Sequence, residues 1–212
     1  HWQLSAITEA RYDVAPRPMQ GEMDPFFFLT KHKNFIPHEY PCRTEFAQAF
    51  RGQHPVPLST FEPVRWWHPF GSSRIDLSGF WFRPTRVAAW ARTALDAAQA
   101  GEATLKISTC GGAILQVNGE EVLWSASYQR NLEESFEVTV TLQQGLNEIR
   151  VYFDDLAERD ARYFFQLNYL SGVAASVALP VPIAPELAGQ MEALLDDAAF
   201  DRLPYVHRLA EC

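Results

Sequence analysis

Residues 112–122, Gly112-Ala113-Ile114-Leu115-Gln116-Val117-Asn118-Gly119-Glu120-Glu121-Val122, read as an apolar strand, a two-residue turn and a returning strand. A type I′ hairpin turn needs positive φ at both central residues, and Asn-Gly is the pair that accepts it most readily. The chain therefore turns at Asn118-Gly119 and returns as Glu121 to Ala126. Downstream, Phe136, Val138, Val140 and Leu142 alternate with Glu137, Thr139 and Thr141, which predicts a strand with one buried and one wet face. Gln143-Gln144-Gly145-Leu146-Asn147 is a turn, Glu148 to Phe153 re-enters a sheet, and Arg162 to Leu170 follows after an acidic loop. Upstream, Gly79 to Arg83 and Val87 to Ala94 read as two strands, and Ala103 to Thr109 as a third. So many hairpin-linked strands resolve into two packed layers, because a single open sheet would leave an apolar face in water. The prediction is all-β, an antiparallel β-sandwich over residues 79–181.

The flanks read differently. Residues 1–78 carry Pro16, Pro18, Pro25, Pro37, Pro41, Pro55, Pro57, Pro63 and Pro69. Proline fixes φ and removes a backbone donor, so long helices and central strands are not expected there. The reading is an irregular proline-rich N-terminal extension wrapping the sandwich, pinned by apolar bursts such as Phe26-Phe27-Phe28-Leu29 and Phe61 to Trp67. Val173 to Leu179 is a last strand, and Pro180, Pro182 and Pro185 form a stiff connector. A C-terminal helix follows from about Pro185 to Phe200, with Leu187, Met191, Leu194 and Leu195 as its apolar stripe. Residues 182–212 are expected to lead into a further domain, or to dock a second subunit through that helix.

Composition excludes several classes of partner. The 212 residues are 47% hydrophobic and 13% aromatic, a globular balance with material for an aromatic core. A net charge of −8 with no basic patch argues against nucleic acid, whose phosphates need neutralising. No run approaches the ~18 apolar residues that span a bilayer, and His1-Trp2-Gln3 lacks the basic-then-apolar pattern of a signal peptide, which leaves open a leader already cleaved or a residue left from an expression tag. The 3 cysteines, Cys42, Cys110 and Cys212, are odd in number and widely spaced, which suits a reducing cytoplasm better than a disulfide framework or a metal site.

The segment from Ala103 to Phe153 resembles the galactose-binding-like, sugar-binding jelly-roll domains found N-terminal to catalytic domains in bacterial glycoside hydrolases. Two motifs carry the resemblance: the strand ending in Val117-Asn118-Gly119, and Gly145-Leu146-Asn147-Glu148-Ile149-Arg150-Val151. It implies a jelly-roll sandwich and a non-catalytic accessory module that binds glycan weakly or acts structurally. No ligand residue of the family maps onto a position here.

Candidate ligand residues come from composition. Trp66-Trp67-His68, with Trp81, Trp90 and Trp124, offers indole planes on which sugar C–H faces stack, although large aromatics also fill cores. Neighbouring residues on extended chain point to opposite faces, so Trp66 or Trp67 is the platform to expect. Asp154-Asp155-Leu156-Ala157-Glu158-Arg159-Asp160 gathers carboxylates for an ion-paired turn, a Ca²⁺ loop or the acid of a small hydrolase. His32, His38, His54 and His68 are too widely spaced for a zinc signature, and Cys110 has no identifiable base. No nucleotide, P-loop or GxSxG motif is present, so no catalytic residue and no cofactor is assigned. The leading reading is the accessory glycan module; the alternatives are a protein-interaction or oligomerisation module and a hydrolase using the 154–160 stretch.

Overall fold

The computed structural model describes residues 1–12, 46–50, 61–67 and 73–178. The chain divides into His1–Pro180 and Val181–Cys212, and the second unit, with the expected helix and its stripe, lies outside the described residues. Within the first unit every described strand pair is antiparallel.

The larger sheet is organised on two long strands, β5 (Gly79–Ala97) and β10 (Gly145–Ala161), paired from Ala97↔Gly145 to Gly79↔Ala161. Beyond β10 lie β7 (Gly112–Val117) and β8 (Glu120–Ala126). Three short strands share the other edge of β5: β1 (Trp2–Ser5), β2 (Thr8–Arg11) and β12 (Ala175–Ala178). β3 (Pro63–Trp67) adds outside β1. The smaller sheet runs β4 (Arg74–Asp76), β11 (Phe164–Gly172), β6 (Gly101–Thr109) and β9 (Glu134–Leu142).

The core lies between the sheets because period-two alternation turns one set of side chains inward on each. On β5 that set is Val87, Ala89, Ala91, Leu95 and Ala97, and its small members stand beside large ones on β10, as Ala89 does beside Phe153. Phe153 contacts Phe165 of the smaller sheet at 4.9 Å between ring centroids, and Trp2 meets the same ring at 5.0 Å. On β9, Val140 and Leu142 are buried and Phe136 and Val138 pack against the core, while Glu137, Thr139 and Thr141 are exposed, as the alternation predicts. The hairpin is also where expected: Asn118 has φ 52° and Gly119 φ 83°.

The structure differs from the sequence reading in three places. The two strands expected at 79–83 and 87–94 are one strand, because Pro84 sits in a bulge that the strand passes through rather than at its end. The 1–78 region does more than wrap, since it supplies β1 to β4 and buries all of β1, whose Trp2 and Leu4 alternate with Gln3 and Ser5. The acidic 154–160 stretch is not a loop: it lies inside β10. Among the described residues no helix is long and apolar enough to cross a membrane.

Candidate functional site

Strand register sorts the two adjacent tryptophans. Trp2 faces the core and pairs with Trp67, so Trp67 turns inward and packs against the core cluster. Trp66 pairs with Gln3 and lies on the outer face of the larger sheet, 45% exposed. His68 lies outside the described residues.

From Trp66 a row of planar polar side chains crosses that face in register: Gln3, Arg92, Arg150 and Gln116. Gln3 Oε1 accepts from Arg92 Nη2 at 2.6 Å and from Nε at 3.1 Å. Glu148 pairs with both guanidiniums, at 3.5 Å from Arg92 Nη1 and 2.9 Å from Arg150 Nη2. Phe61 lies 4.8 Å below the Arg92 guanidinium. Gln3 itself is buried, while Arg92, Glu148 and Arg150 keep 19%, 32% and 35% of their side chains exposed, so the part of each fixed group that reaches the surface is available to a polar ligand without further ordering.

The next rows of the same face are closed. Trp90, Tyr152 and Ile114 are buried together, and Trp90 meets Tyr152 at 5.3 Å. Below them Asp154, its side chain without solvent exposure, accepts from Arg86 Nη2 at 3.0 Å and from the Tyr128 hydroxyl at 2.9 Å. Burial holds its carboxyl above the ordinary range although Arg86, Tyr128 and Tyr152 pull it down. The same burial, with Asp154 alongside, keeps the Tyr128 and Tyr152 phenols protonated. Phe46 of the helical residues 46–50 closes over Tyr128 at 4.9 Å. The carboxylate at the centre of this network is shut off from water, while the Arg86 side chain keeps 29% exposure.

The other acids of the 154–160 stretch are dispersed. Asp155 pairs in register with core-facing Val87, Glu158 is buried at the bulge, and Asp160 is exposed and bonded to Arg130 at 3.1 Å. A strand sends successive side chains to opposite faces, so residues clustered in sequence are separated in space. Among the described residues no group of three or more His, Cys, Asp or Glu is placed to hold a metal ion.

No family model matches the chain, and no curated protein matches it. Similar solved structures include a beta-glucosidase from Kluyveromyces marxianus, at 14% identity and TM-score 0.33, over 42% of this chain and 11% of that one. A GH31 alpha-xylosidase from Xanthomonas citri matches at 15% identity and TM-score 0.32, over 44% of this chain and 11% of that one. A family 35 carbohydrate binding module from Clostridium thermocellum matches at 16% identity and TM-score 0.28, over 45% of this chain and 87% of that one. The chain thus spans about a tenth of the two glycosidase chains. These likenesses assign no ligand and no residue role.

The remaining candidates take ordinary places. Trp81 packs against the core and its Nε1 donates to Glu9 Oε1 at 3.2 Å, while Trp124 is 37% exposed on β8. Cys110 is buried, and burial pushes its thiol up to about 11, out of the range of a nucleophile. Gln3, Arg92, Glu148 and Arg150 escaped the sequence reading because they come from three strands far apart in the chain. The one local signal for them was the alternation of Glu148 and Arg150 on the wet face of a strand already recognised.

Proposed function

We propose that this chain is a non-catalytic sandwich module of the galactose-binding-like, jelly-roll kind, which binds glycan weakly on the outer face of its larger sheet. The observation that carries the reading is the half-exposed indole of Trp66 at the head of the Gln3–Arg92–Glu148–Arg150 row. An aromatic plane takes the C–H face of a pyranose, and the part-exposed guanidinium and carboxylate groups beside it take the hydroxyls. Of the three residues singled out in sequence, Trp66 is the platform; Trp67 supports it from the core side. An open face buries little of a small ligand, so Kd is on the order of 0.1 to 1 mM. The same proposal makes the module an accessory of a glycoside hydrolase, a role tested by reading the coding frame past Cys212 for a catalytic domain.

The test of binding is a titration of mono- and oligosaccharides into the full chain, followed by Trp fluorescence and NMR shifts. A saturable response that Trp66→Ala removes supports the reading. Silence toward every sugar at about 10 mM, ten times the weaker affinity, refutes it.

A further inference from the structure

A second aromatic feature on this face belongs to neither the core nor the Trp66 row. Phe80 is 56% and Phe82 91% exposed, and their rings meet edge to face at 5.0 Å. Phe80 pairs with Asp160, while the flanking pair Gly79↔Ala161 has core-facing Ala161, so Phe80 points to the outer face and Phe82 joins it there. The placement is built by backbone. Trp81 pairs with Arg159 and Thr85 with Ala157, which leaves Phe82, Arg83 and Pro84 opposite the single residue Glu158. Arg159 closes the irregularity with φ 54°. Bulges of this kind re-aim side chains, and here the re-aimed one is a phenylalanine turned fully into water.

The polar groups beside the rings are also fixed. Asp160, its side chain 83% exposed, accepts from Arg130 Nη2 at 3.1 Å, and the same nitrogen donates to the Glu158 carbonyl at 3.1 Å. The carboxylate next to Phe80 is thereby held in place by Arg130, which is itself anchored on the β10 carbonyl opposite the bulge.

We infer that the β5 bulge is a second glycan contact, in which Phe80 and Phe82 stack a pyranose of a neutral oligosaccharide and Asp160 accepts from its hydroxyls. The inference rests on the glycan-binding reading above. Size selects the occupant: with a full Phe side chain at about 200 Å², the two exposures leave an apolar patch of about 300 Å². That matches one sugar ring and falls well short of the ~800 Å² per partner of a stable protein interface. A net charge of −8 and a neighbouring carboxylate disfavour acidic sugars.

The experiment uses the full chain labelled at phenylalanine rings, with Phe80→Ala and Phe82→Ala assigning the two signals. Cellohexaose, xylohexaose and mannohexaose are titrated to about 10 mM. The expected result is a saturable shift of both rings with at least one hexasaccharide, weakened about tenfold in Phe82→Ala, kept in Phe82→Trp, and still present in Trp66→Ala. Circular dichroism of the variants should be unchanged, because neither ring supports the core. A response confined to Trp66 overturns the inference and leaves the proposed function standing. Silence of both regions overturns both. A wild-type dimer that Phe82→Ala turns into monomer also overturns it, assigning the patch to a second copy of the chain.

Discussion

Asn118 and Asn147 stand 29 positions apart in the chain, and Asn118 Nδ2 donates to Asn147 Oδ1 at 2.8 Å. The two turns that mark the fold in sequence are therefore one structure. Asn118 Oδ1 also accepts the Glu148 N–H at 2.9 Å, and the Glu148 carbonyl accepts the Asn118 N–H at 2.8 Å. Asn147 is fully buried with its remaining valences used: Oδ1 accepts the Gln143 N–H, and Nδ2 donates to the carbonyls of Gln143 and Gly145.

Replacing Asn147 by Ala takes the side-chain partner from the part-buried backbone groups of Gln143 and Gly145 at once. At about 1 to 3 kcal/mol for a buried group left unsatisfied, and less where water reaches it, the loss should reach about 2 kcal/mol. Asn147→Asp keeps the acceptor but turns a buried carboxylate oxygen onto the carbonyls of Gln143 and Gly145, so near neutral pH it should cost at least as much as Asn147→Ala. Urea unfolding checks the order. A loss under about 1 kcal/mol for Asn147→Ala would show that the two turns hold without it.

This pairing also explains what was readable in the sequence. Asn118-Gly119 and the alternation of Phe136 to Leu142 are local signals, and the strands they mark formed as read. Gly79 to Ala97 defeated a local reading because Pro84 ordinarily ends a strand, and only the long partner β10 carries the pairing past it. The acids of 154–160 looked like a loop by composition; burial of Asp154 beside Arg86 and Tyr128 turns polar residues into strand. Trp66 was legible as one of two opposed neighbours, but which faced outward depended on its pairing with Gln3 across the β1–β3 ladder. The rest of that row is assembled by register between strands distant in sequence, which no local window contains.

Two glycines separate backbone strain from lack of space. A Cβ at Gly119 meets nothing within 4 Å, but φ is +83°, so Gly119→Ala should cost only the left-handed penalty, about 1 kcal/mol. At Gly111 the same Cβ falls 2.1 Å from the Asp154 carbonyl oxygen and 2.8 Å from Asp155 Cβ. That contact is with backbone of β10 and cannot rotate away, so Gly111→Ala should cost more than about 3 kcal/mol or prevent folding. Thermal unfolding of the two variants side by side decides it. Equal losses would mean that β10 shifts freely at Asp154.

Arg86 and Asp154 give stability a particular pH dependence. The folded carboxyl is held above its unfolded range, so as pH rises through that window the unfolded chain gives up its proton before the folded chain does, and stability falls. Removing the guanidinium leaves the buried carboxylate with only phenolic donors and raises it further. Arg86→Ala should therefore cost about 3 kcal/mol or more at about pH 8 and distinctly less at about pH 5, where the proton substitutes for the lost charge. Asp154→Asn should flatten the wild-type slope. Urea midpoints at the two pH values test both statements, and a cost for Arg86→Ala that does not change with pH would count against the assignment.

The final prediction separates the two neighbouring tryptophans, one expected to serve ligand and the other the core. Trp66 is half-exposed on the edge strand, so Trp66→Ala should cost about 1 kcal/mol, less than its inward neighbour, while removing the glycan response. Trp67 packs inward, and Trp67→Ala should cost about 2 to 3 kcal/mol through lost contact and a partial cavity. Its indole Nε1 is buried without a hydrogen-bond partner, so Trp67→Phe gives up area but also removes an unsatisfied donor, and should remain within about 1 kcal/mol of wild type. Circular dichroism in urea gives the stabilities, and the sugar titration of the same samples gives the response. Trp67→Phe should keep that response because Trp66 stays in register with Gln3 and Arg92. Loss of binding in Trp67→Phe with stability intact would transfer the platform to Trp67 and overturn the face assignment.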